Sequence, residues 1–141
     1  MEAKFSQRVK DVISYSREEA LRLGNNFIGV EHLLLGLLRE GDGKAISVLK
    51  EFHLDLKMIR KEIEQTLEKS ASVMDQNLAN IPLVKQAERV LKLTYLEAKL
   101  YKSPMIGTEH LLLSILKSED SAACSILNTV SYTHLTLPTI A

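Results

Sequence analysis

Hydrophobic residues recur at intervals of three and four along most of the chain, a spacing that predicts helices. The first predicted helix begins near Ser6, whose hydroxyl is suited to cap it, and its apolar or small residues share one face. Those residues are Val9, Val12, Ile13, Ser16, Ala20 and Leu23. The second helix begins at Val30 and is apolar on nearly every side, so we expect it to be buried.

Two further helices complete this unit. One is predicted over about 44–52 with Asp42 as its cap, and the other over about 55–68 with Asp55 as its cap. The apolar face of the latter consists of Leu56, Ile59, Ile63 and Leu67.

The same helical pattern occurs twice in the chain. Residues 84–128 align with residues 6–50 at an offset of 78 without gaps, and 15 of the 45 aligned pairs are identical. Gly29–Leu35 matches Gly107–Leu113 in six of seven positions. Self-similarity of this kind indicates structural repeats. The sequence therefore predicts an all-α fold in which two pseudo-repeats of a four-helix unit, the second incomplete, pack as a compact helical domain.

These alignments divide the chain into segments. Repeat one spans about 6–68, a polar linker spans 69–80, and repeat two spans about 82–128, together forming one domain over 1–128. Within repeat two, Thr108 is expected to cap the second helix, whereas Val30 at the matching position of repeat one cannot.

Composition excludes several classes of function. Eighteen Lys and Arg balance 18 Asp and Glu, so the chain lacks the basic charge of a general nucleic-acid binder. Its one cysteine, Cys124, lies in an apolar helical register and, with four histidines, cannot assemble a structural zinc site. Neither a phosphate-loop motif, a signal peptide nor a membrane-length apolar run occurs. We expect a cytoplasmic chain with no catalytic residues, metal, nucleic-acid partner or membrane partner.

Several segments carry a resemblance to a known family. Phe5–Arg8, Glu18–Gly24, Gly29–Leu37 and the partial second repeat resemble the Clp repeat domain, over about residues 2–128. This is the N-terminal domain of double-ring Clp ATPases, and the ClpC-type AAA+ unfoldase is the most similar. The resemblance implies a chaperone domain in protein quality control that receives adaptor proteins and protein substrates for unfolding and delivery to the Clp protease.

The resemblance also implies what lies elsewhere. ATP and Mg would be bound by downstream ATPase domains, so no cofactor is expected in this fragment. The full-length protein would be a hexamer, whereas this domain would be a monomer.

The candidate site also follows from the resemblance, which implies receptors for phosphorylated arginine. The first-turn acids Glu31 and Glu109 would hold the guanidinium, and the N-terminus of the first helix would hold the phosphate. Matched within each repeat, site one pairs Ser6 with Glu31 and site two pairs Val84 with Glu109. Because Val84 has no hydroxyl, we expect stronger binding at the Ser6/Glu31 site.

Other readings of these residues stay open. Glu31 and Glu109 could simply complement the helix dipole, and His32 and His110 are expected to orient or pack. A set of residues at the loop ends could contact adaptors or pack in the core. They are Phe27, Ile28, Met105 and Ile106.

Two alternative functions are compatible with parts of this sequence. One is the N-domain of a ClpB-like disaggregase that binds exposed hydrophobic segments. The other is a small helical enzyme that uses the Glu-His pairs as acid and base, which is disfavoured because adjacent helical side chains diverge by about 100°.

The end of the chain departs from the repeat. After Asn128 the sequence no longer matches repeat one, and residues 129–141 alternate Thr and Leu before Pro138. The family resemblance implies a charged amphipathic helix there. We expect residues 129–141 to be non-native to the domain and loosely packed.

Overall fold

Within residues 4–68, 81–118 and 120–130, which the computed structural model describes, the chain forms seven helices and two short strands. The helices are α1 (Gln7–Arg22), α2 (Val30–Glu40), α3 (Lys44–Glu51), α4 (Leu56–Glu68), α5 (Lys85–Leu100), α6 (Thr108–Lys117) and α7 (residues 122–130). The strands are β1 (Lys4–Phe5) and β2 (Met105–Ile106). The predicted all-α fold is confirmed, and the two strands are additions that the helical pattern did not reveal.

Two of the predicted helix caps are observed. The Ser6 hydroxyl accepts a hydrogen bond from the Val9 N–H at 3.2 Å and so begins α1. The Asp55 carboxylate accepts from the N–H of Lys57 at 3.0 Å and from that of Met58 at 3.2 Å, at the start of α4.

The prediction that Asp42 caps α3 is wrong. Asp42 instead bonds the N–H of its neighbour Gly43 at 2.9 Å, and Gly43 is the N-cap residue with φ of 96°. The N–H of Ala45, one residue into α3, is bonded by the hydroxyl of Thr108 from repeat two, at 3.2 Å. Thr108 therefore does not cap its own helix α6, which begins after Gly107. At the start of α3, a hydrogen bond between the repeats thus takes the place of the local cap predicted from the sequence.

The core lies between the central helices of the two repeats. Leu33, Leu34 and Leu35 of α2 have no exposed surface, and Leu111 and Ile115 of α6 are buried in the same cluster. The apolar face predicted for α4 is buried at three of its four positions, namely Ile59, Ile63 and Leu67. Cys124 is also buried, in the core position expected of it.

The strand pairing crosses from one repeat to the other. β1, which precedes α1, pairs in parallel with β2, which precedes α6. The corresponding segment of repeat two forms a parallel bridge between Leu83 and Ile28, just before α2. The segment before the first helix of each repeat therefore pairs with the other repeat, which places the start of α1 beside the start of α6.

The last described helix extends past the expected end of the domain. The Ser121 hydroxyl accepts from the Cys124 N–H at 3.1 Å at the start of α7. Val130, at the end of the helix, is only 3% exposed. Val130 thus packs against the core although it lies past the boundary predicted at 128, whereas Thr129 is exposed. The linker 69–80 and residues 131–141 lie outside the described residues.

Candidate ligand-binding site

The pairing of β1 with β2 between the repeats brings the N-termini of α1, α3 and α6 together. A groove lies where they meet. Its cavity volume is about 280 Å³. The groove is lined by Ser6, Arg8, Gly43, Lys44, Ser103, Met105, Gly107, Thr108 and Glu109. Residues from both repeats thus contribute to a single site.

The pairing of site residues predicted from the sequence is wrong. Ser6 lines the same groove as Glu109, and its N–H bonds the carbonyl of Ile106 at 3.0 Å. In the equivalent contact, the N–H of Val84 bonds the carbonyl of Ile28 at 3.0 Å, three residues before Glu31. The structure therefore brings Ser6 to Glu109 and Val84 to the segment of Glu31. The within-repeat pairing failed because the strands cross between repeats.

Two cations flank the Ser6/Glu109 groove. The ammonium of Lys44 lies 3.3 Å from a carboxylate oxygen of Glu109 and is well exposed. The guanidinium of Arg8 lies 3.0 Å from Glu40 and 3.2 Å from Asp42. The hydrogen bond from Gly43, followed by the Arg8 charge, holds the pKa of the Asp42 carboxyl below its usual range. Positive and negative groups thus face one groove.

The glycine before each acid makes room for the carboxylate. A Cβ on Gly107 would lie 2.9 Å from the carboxylate carbon of Glu109, and one on Gly29 would lie 2.6 Å from a carboxylate oxygen of Glu31. Any side chain at these positions would displace the acid, since real Cβ atoms do not approach so closely. The Gly-x-Glu spacing therefore sets where each carboxylate lies.

The histidine after each acid fixes the same turn. The N–H of Gly29 donates to Nδ1 of His32 at 2.9 Å, and the N–H of Gly107 donates to Nδ1 of His110 at 2.9 Å. In repeat one, Nε2 of His32 lies 2.9 Å from the side-chain oxygen of Asn25, so Nε2 carries the proton. Burial lowers the pKa of His32 to about 4. His32 orients the turn, as expected, and both of its nitrogens are engaged.

Glu31, the other predicted acid, lies in a different setting from Glu109. Burial raises the pKa of Glu31. Among the described residues no cation lies within ion-pair distance of Glu31. In repeat two, the residues that correspond to Ser6, Arg8 and Lys44 are those 78 positions later, and all three are uncharged. They are Val84, Gln86 and Ala122.

The four adaptor-contact candidates divide by exposure. Ile28 and Ile106 are buried, and Ile28 also lines a second pocket beside Leu83. Phe27 is half-buried, with its ring edge-on to His32 at 5.3 Å between centroids. Met105 is 51% exposed and lines the groove. Of this set, Met105 is the most accessible to a partner.

Most of the cationic side of the groove was not predicted from the sequence. Neither Arg8 nor Lys44 was among the site residues predicted from the sequence. A signal was available: Arg8 and Lys44 are charged at positions whose counterparts Gln86 and Ala122 are not. A charged residue in one repeat whose counterpart is uncharged indicates a position where the two copies can bind different ligands.

Replacing Thr108 with valine is expected to lower the free energy of unfolding by about 1 kcal/mol, because the N–H of Ala45 would lose its bond in a buried setting. Valine keeps the shape of threonine, so urea unfolding would isolate the hydrogen bond. Thr66 is a matched control, since its hydroxyl donates to the Glu62 carbonyl within one helix. Thr66→Val should change stability by less than about 0.5 kcal/mol. Equal losses from the two changes would refute a specific contact between the repeats.

The described ranges contain neither a metal-binding cluster nor a membrane-spanning helix. No group of three or more His, Cys, Asp or Glu residues there could hold a metal ion. No helix in the same ranges is long and apolar enough to cross a membrane.

Comparison with known proteins shows the family to which the chain belongs. Residues 4–130 match the model of the Clp repeat (R) N-terminal domain. The chain belongs to this family, the N-terminal domains of Clp ATPases. It is 38% identical over 128 residues to the negative regulator of genetic competence ClpC/MecB of Bacillus subtilis and 37% identical to the chaperone protein ClpB of Oceanobacillus iheyensis. Each alignment covers 91% of this chain and 15% of the relative, so the chain spans about 15% of the length of these relatives.

Solved structures show the same fold. The N-terminal domain of the chaperone ClpD from Arabidopsis thaliana superposes with a TM-score of 0.69, covering 94% of this chain and 97% of that one at 20% identity. The N-terminal domain of the ClpV1 ATPase from the E. coli EAEC Sci1 secretion system gives a TM-score of 0.67 at 16% identity, covering 88% and 82% of the two chains.

Proposed function

We propose that this domain receives adaptor proteins and protein substrates for a Clp ATPase, and that its groove binds phosphorylated arginine side chains. The observation that carries the proposal is the groove itself, in which Glu109 lies beside Arg8, Lys44 and the N-terminus of α1. Phosphoarginine carries its phosphoryl group on a nitrogen of the planar guanidinium, so N–H donors and an anionic group adjoin. A site with an acid at one side and cations at the other matches that distribution of charge.

The phosphate half would be held by the start of α1. The first N–H groups of a helix have no intrahelical partner and point outward, and the helix dipole favours an anion there. The Ser6 hydroxyl already accepts from Val9, so its proton is available to donate to a phosphate oxygen. Arg8 and Lys44 add positive charge on the same side of the groove.

The guanidinium half would be held by Glu109. A carboxylate and a guanidinium match in a planar, two-bond geometry. Lys44 neutralises this carboxylate, with its ammonium 3.3 Å from a carboxylate oxygen. An incoming guanidinium would displace the ammonium of Lys44, which is on an exposed and flexible stem and could then reach the phosphate. One displacement would thereby complete both halves of the site.

The equivalent site in repeat two should bind this ligand weakly. Val84 offers no hydroxyl, and Gln86 and Ala122 supply no charge where repeat one has Arg8 and Lys44. The asymmetry expected from the sequence is therefore retained, but it assigns the stronger site to Ser6 with Glu109.

The remainder of the proposed function concerns the longer protein. By analogy with Clp ATPases, ATP hydrolysis would reside in domains downstream of this one, and the assembled protein would be a hexamer in the cytoplasm. It would deliver unfolded substrates to the Clp protease. This domain would act as a monomeric binding module without catalytic residues and without a nucleic-acid or membrane partner.

Calorimetric titration of the 141-residue chain with free phosphoarginine tests the groove. We expect one dominant site, which Glu109→Ala weakens by about tenfold, because a charged hydrogen bond is lost. Glu31→Ala is the matched control and should leave the dominant affinity unchanged. Arginine and inorganic phosphate, titrated separately, should each bind more weakly than phosphoarginine. Equal losses from the two acid-to-alanine changes would reject the assignment to this groove.

A further inference from the structure

The two carboxylate oxygens of Glu109 have different surroundings. Oε1 occupies the space where a Cβ of Gly107 would stand, and Oε2 lies 3.3 Å from the ammonium of Lys44. Nδ1 of His110, which is 3.9 Å from Oε1, accepts the N–H of Gly107 and so carries no proton to donate. A ligand guanidinium that binds the Glu109 carboxylate must therefore compete with the ammonium of Lys44.

Arg8, the other cation of the groove, is held away from Glu109 by two acids. Its Nη1 lies 3.0 and 3.1 Å from the two carboxylate oxygens of Glu40, and 3.2 Å from Asp42. Lys44 instead pairs with one acid among the described residues, and its side chain is 81% exposed. Exposed ion pairs are weak because water solvates both charges, so Lys44 can leave Glu109 and Arg8 stays in place.

Leaving Glu109 has a different consequence for Lys44 with each of two ligands. Unmodified arginine offers a guanidinium alone, so the displaced ammonium loses an anionic partner and gains none. Phosphoarginine brings an anion into the groove, and the displaced ammonium can pair with its phosphate. An internal competitor that finds a new partner only on the modified side chain discriminates against the unmodified one.

Repeat two shows that this ion pair is not needed to form the turn. Ala122 is the counterpart of Lys44, and no cation in the described part of the chain lies within ion-pair distance of Glu31. The Gly29 N–H nevertheless donates to Nδ1 of His32 at 2.9 Å, as in repeat two's own motif. The cation at position 44 is therefore free to serve ligand selection.

We propose that Lys44 is a specificity-determining residue that makes the Ser6/Glu109 groove bind phosphoarginine in preference to unmodified arginine. This inference rests on the proposed function, and it assigns substrate selection to a residue outside the Gly-x-Glu-His motif. Arginine is mostly exposed on proteins, so a groove with an unpaired Glu109 would also hold unmodified proteins. With Lys44 in place, the substrate class is restricted to proteins whose arginine carries a phosphoryl group.

Calorimetric titrations of the wild-type chain and of Lys44→Met with phosphoarginine and with free arginine test this assignment. Methionine keeps an unbranched stem but carries no charge. We expect Lys44→Met to bind arginine about threefold more tightly, because the competitor for Glu109 is gone, and phosphoarginine about threefold more weakly, because the phosphate loses a cation. The ratio of the two affinities should therefore fall about tenfold.

Lys50→Met is the matched control, since Lys50 is an exposed lysine in the last turn of the same helix and its loss changes the net charge equally. It should leave the ratio unchanged, with circular dichroism melts verifying that each variant is folded. An equal fall in both methionine variants, or an unchanged ratio in Lys44→Met, would overturn the role of Lys44 and leave the proposed function intact. Phosphoarginine binding that Glu109→Ala does not weaken would overturn the proposed function, and this inference with it.

Discussion

Replacing Gly36 with alanine is expected to lower the free energy of unfolding by about 2 kcal/mol, even though alanine is the better helix former. Gly36 lies in α2 where this helix crosses α1. A Cβ at this position would lie 3.0 Å from the backbone nitrogen of Ser16 and closer still to the carbonyl oxygen of Val12. Both atoms belong to the α1 backbone, so no side-chain rotation can relieve the contact and the two helices must separate.

The magnitude follows from two opposing effects. Overpacking in a core costs ~1–3 kcal/mol, and the upper end applies when the contact is with backbone. The higher helix propensity of alanine raises the free energy of unfolding by about 1 kcal/mol when it replaces glycine. The net loss should appear as a fall of roughly 8 °C in Tm for a domain of this size.

Ser114 of α6 provides the matched control, because it is the counterpart of Gly36 in repeat two. Its hydroxyl is buried and has no hydrogen-bond partner among the residues that the structure describes. Ser114→Ala removes that unpaired group, so stability should be unchanged or slightly higher. A stable Gly36→Ala variant, or one no less stable than Ser114→Ala, would show that the α1–α2 approach is not limited by this glycine.

The helices were predictable because the signals that define them are local. In α4, the apolar residues Ile59, Ile63 and Leu67 recur every fourth residue and all are buried, and Asp55 supplies the cap. The amphipathic face and the capping acceptor both lie within 14 consecutive residues. The internal repeat then allowed the same interpretation to be applied to the second half of the chain.

The crossed pairing of the repeats could not be predicted in the same way. The segments that lead into α2 and α6 share Ile-Gly-x-Glu-His, so β1 has chemically similar partners in both repeats. A strand of two residues is also too short to show alternation of polar and apolar side chains. The choice between the partners depends on how the repeats pack, and this choice decided which acid lies beside Ser6.

The site illustrates the same division between local and non-local information. Glu109 was identifiable from its place in the motif, but its neighbour Lys44 comes from the start of α3 in the other repeat. Thr108 was misassigned for a related reason. As the first residue of α6 it cannot cap that helix, and only the packing of the repeats shows that its hydroxyl reaches Ala45.

Acidification from pH 6.5 to about pH 4 is expected to remove about 3 kcal/mol of stability through His32 alone. His32 is fully buried, and burial lowers its pKa from 6.5 to about 4, with the charge of Glu19 opposing the shift. The neutral ring is needed because Nδ1 accepts from Gly29 while Nε2 donates to Asn25. A protonated ring could not accept from Gly29.

The direction of the effect follows from linkage. The folded-state pKa lies below the unfolded value, so the unfolded chain binds a proton first as the pH falls. The contribution of His32 is complete above pH 6.5, declines through the interval and is lost near pH 4, below which this group causes no further loss. At about 1.4 kcal/mol for each pKa unit, the interval amounts to about 3 kcal/mol.

Urea unfolding of the wild-type chain and of His32→Gln at several pH values isolates this group from the carboxyls that titrate nearby. Glutamine at the third helical position can accept from the N-cap N–H as histidine does, but it does not titrate in this range. The difference in stability between the two proteins should therefore shrink or reverse by about 3 kcal/mol as the pH falls from 6.5 to 4. His110→Gln, which makes the matching change in repeat two, should keep the His32 contribution intact. A pH-independent difference between wild type and His32→Gln would show that His32 gains its proton as readily in the folded chain as in the unfolded one, and that the Gly29 turn does not depend on a neutral ring.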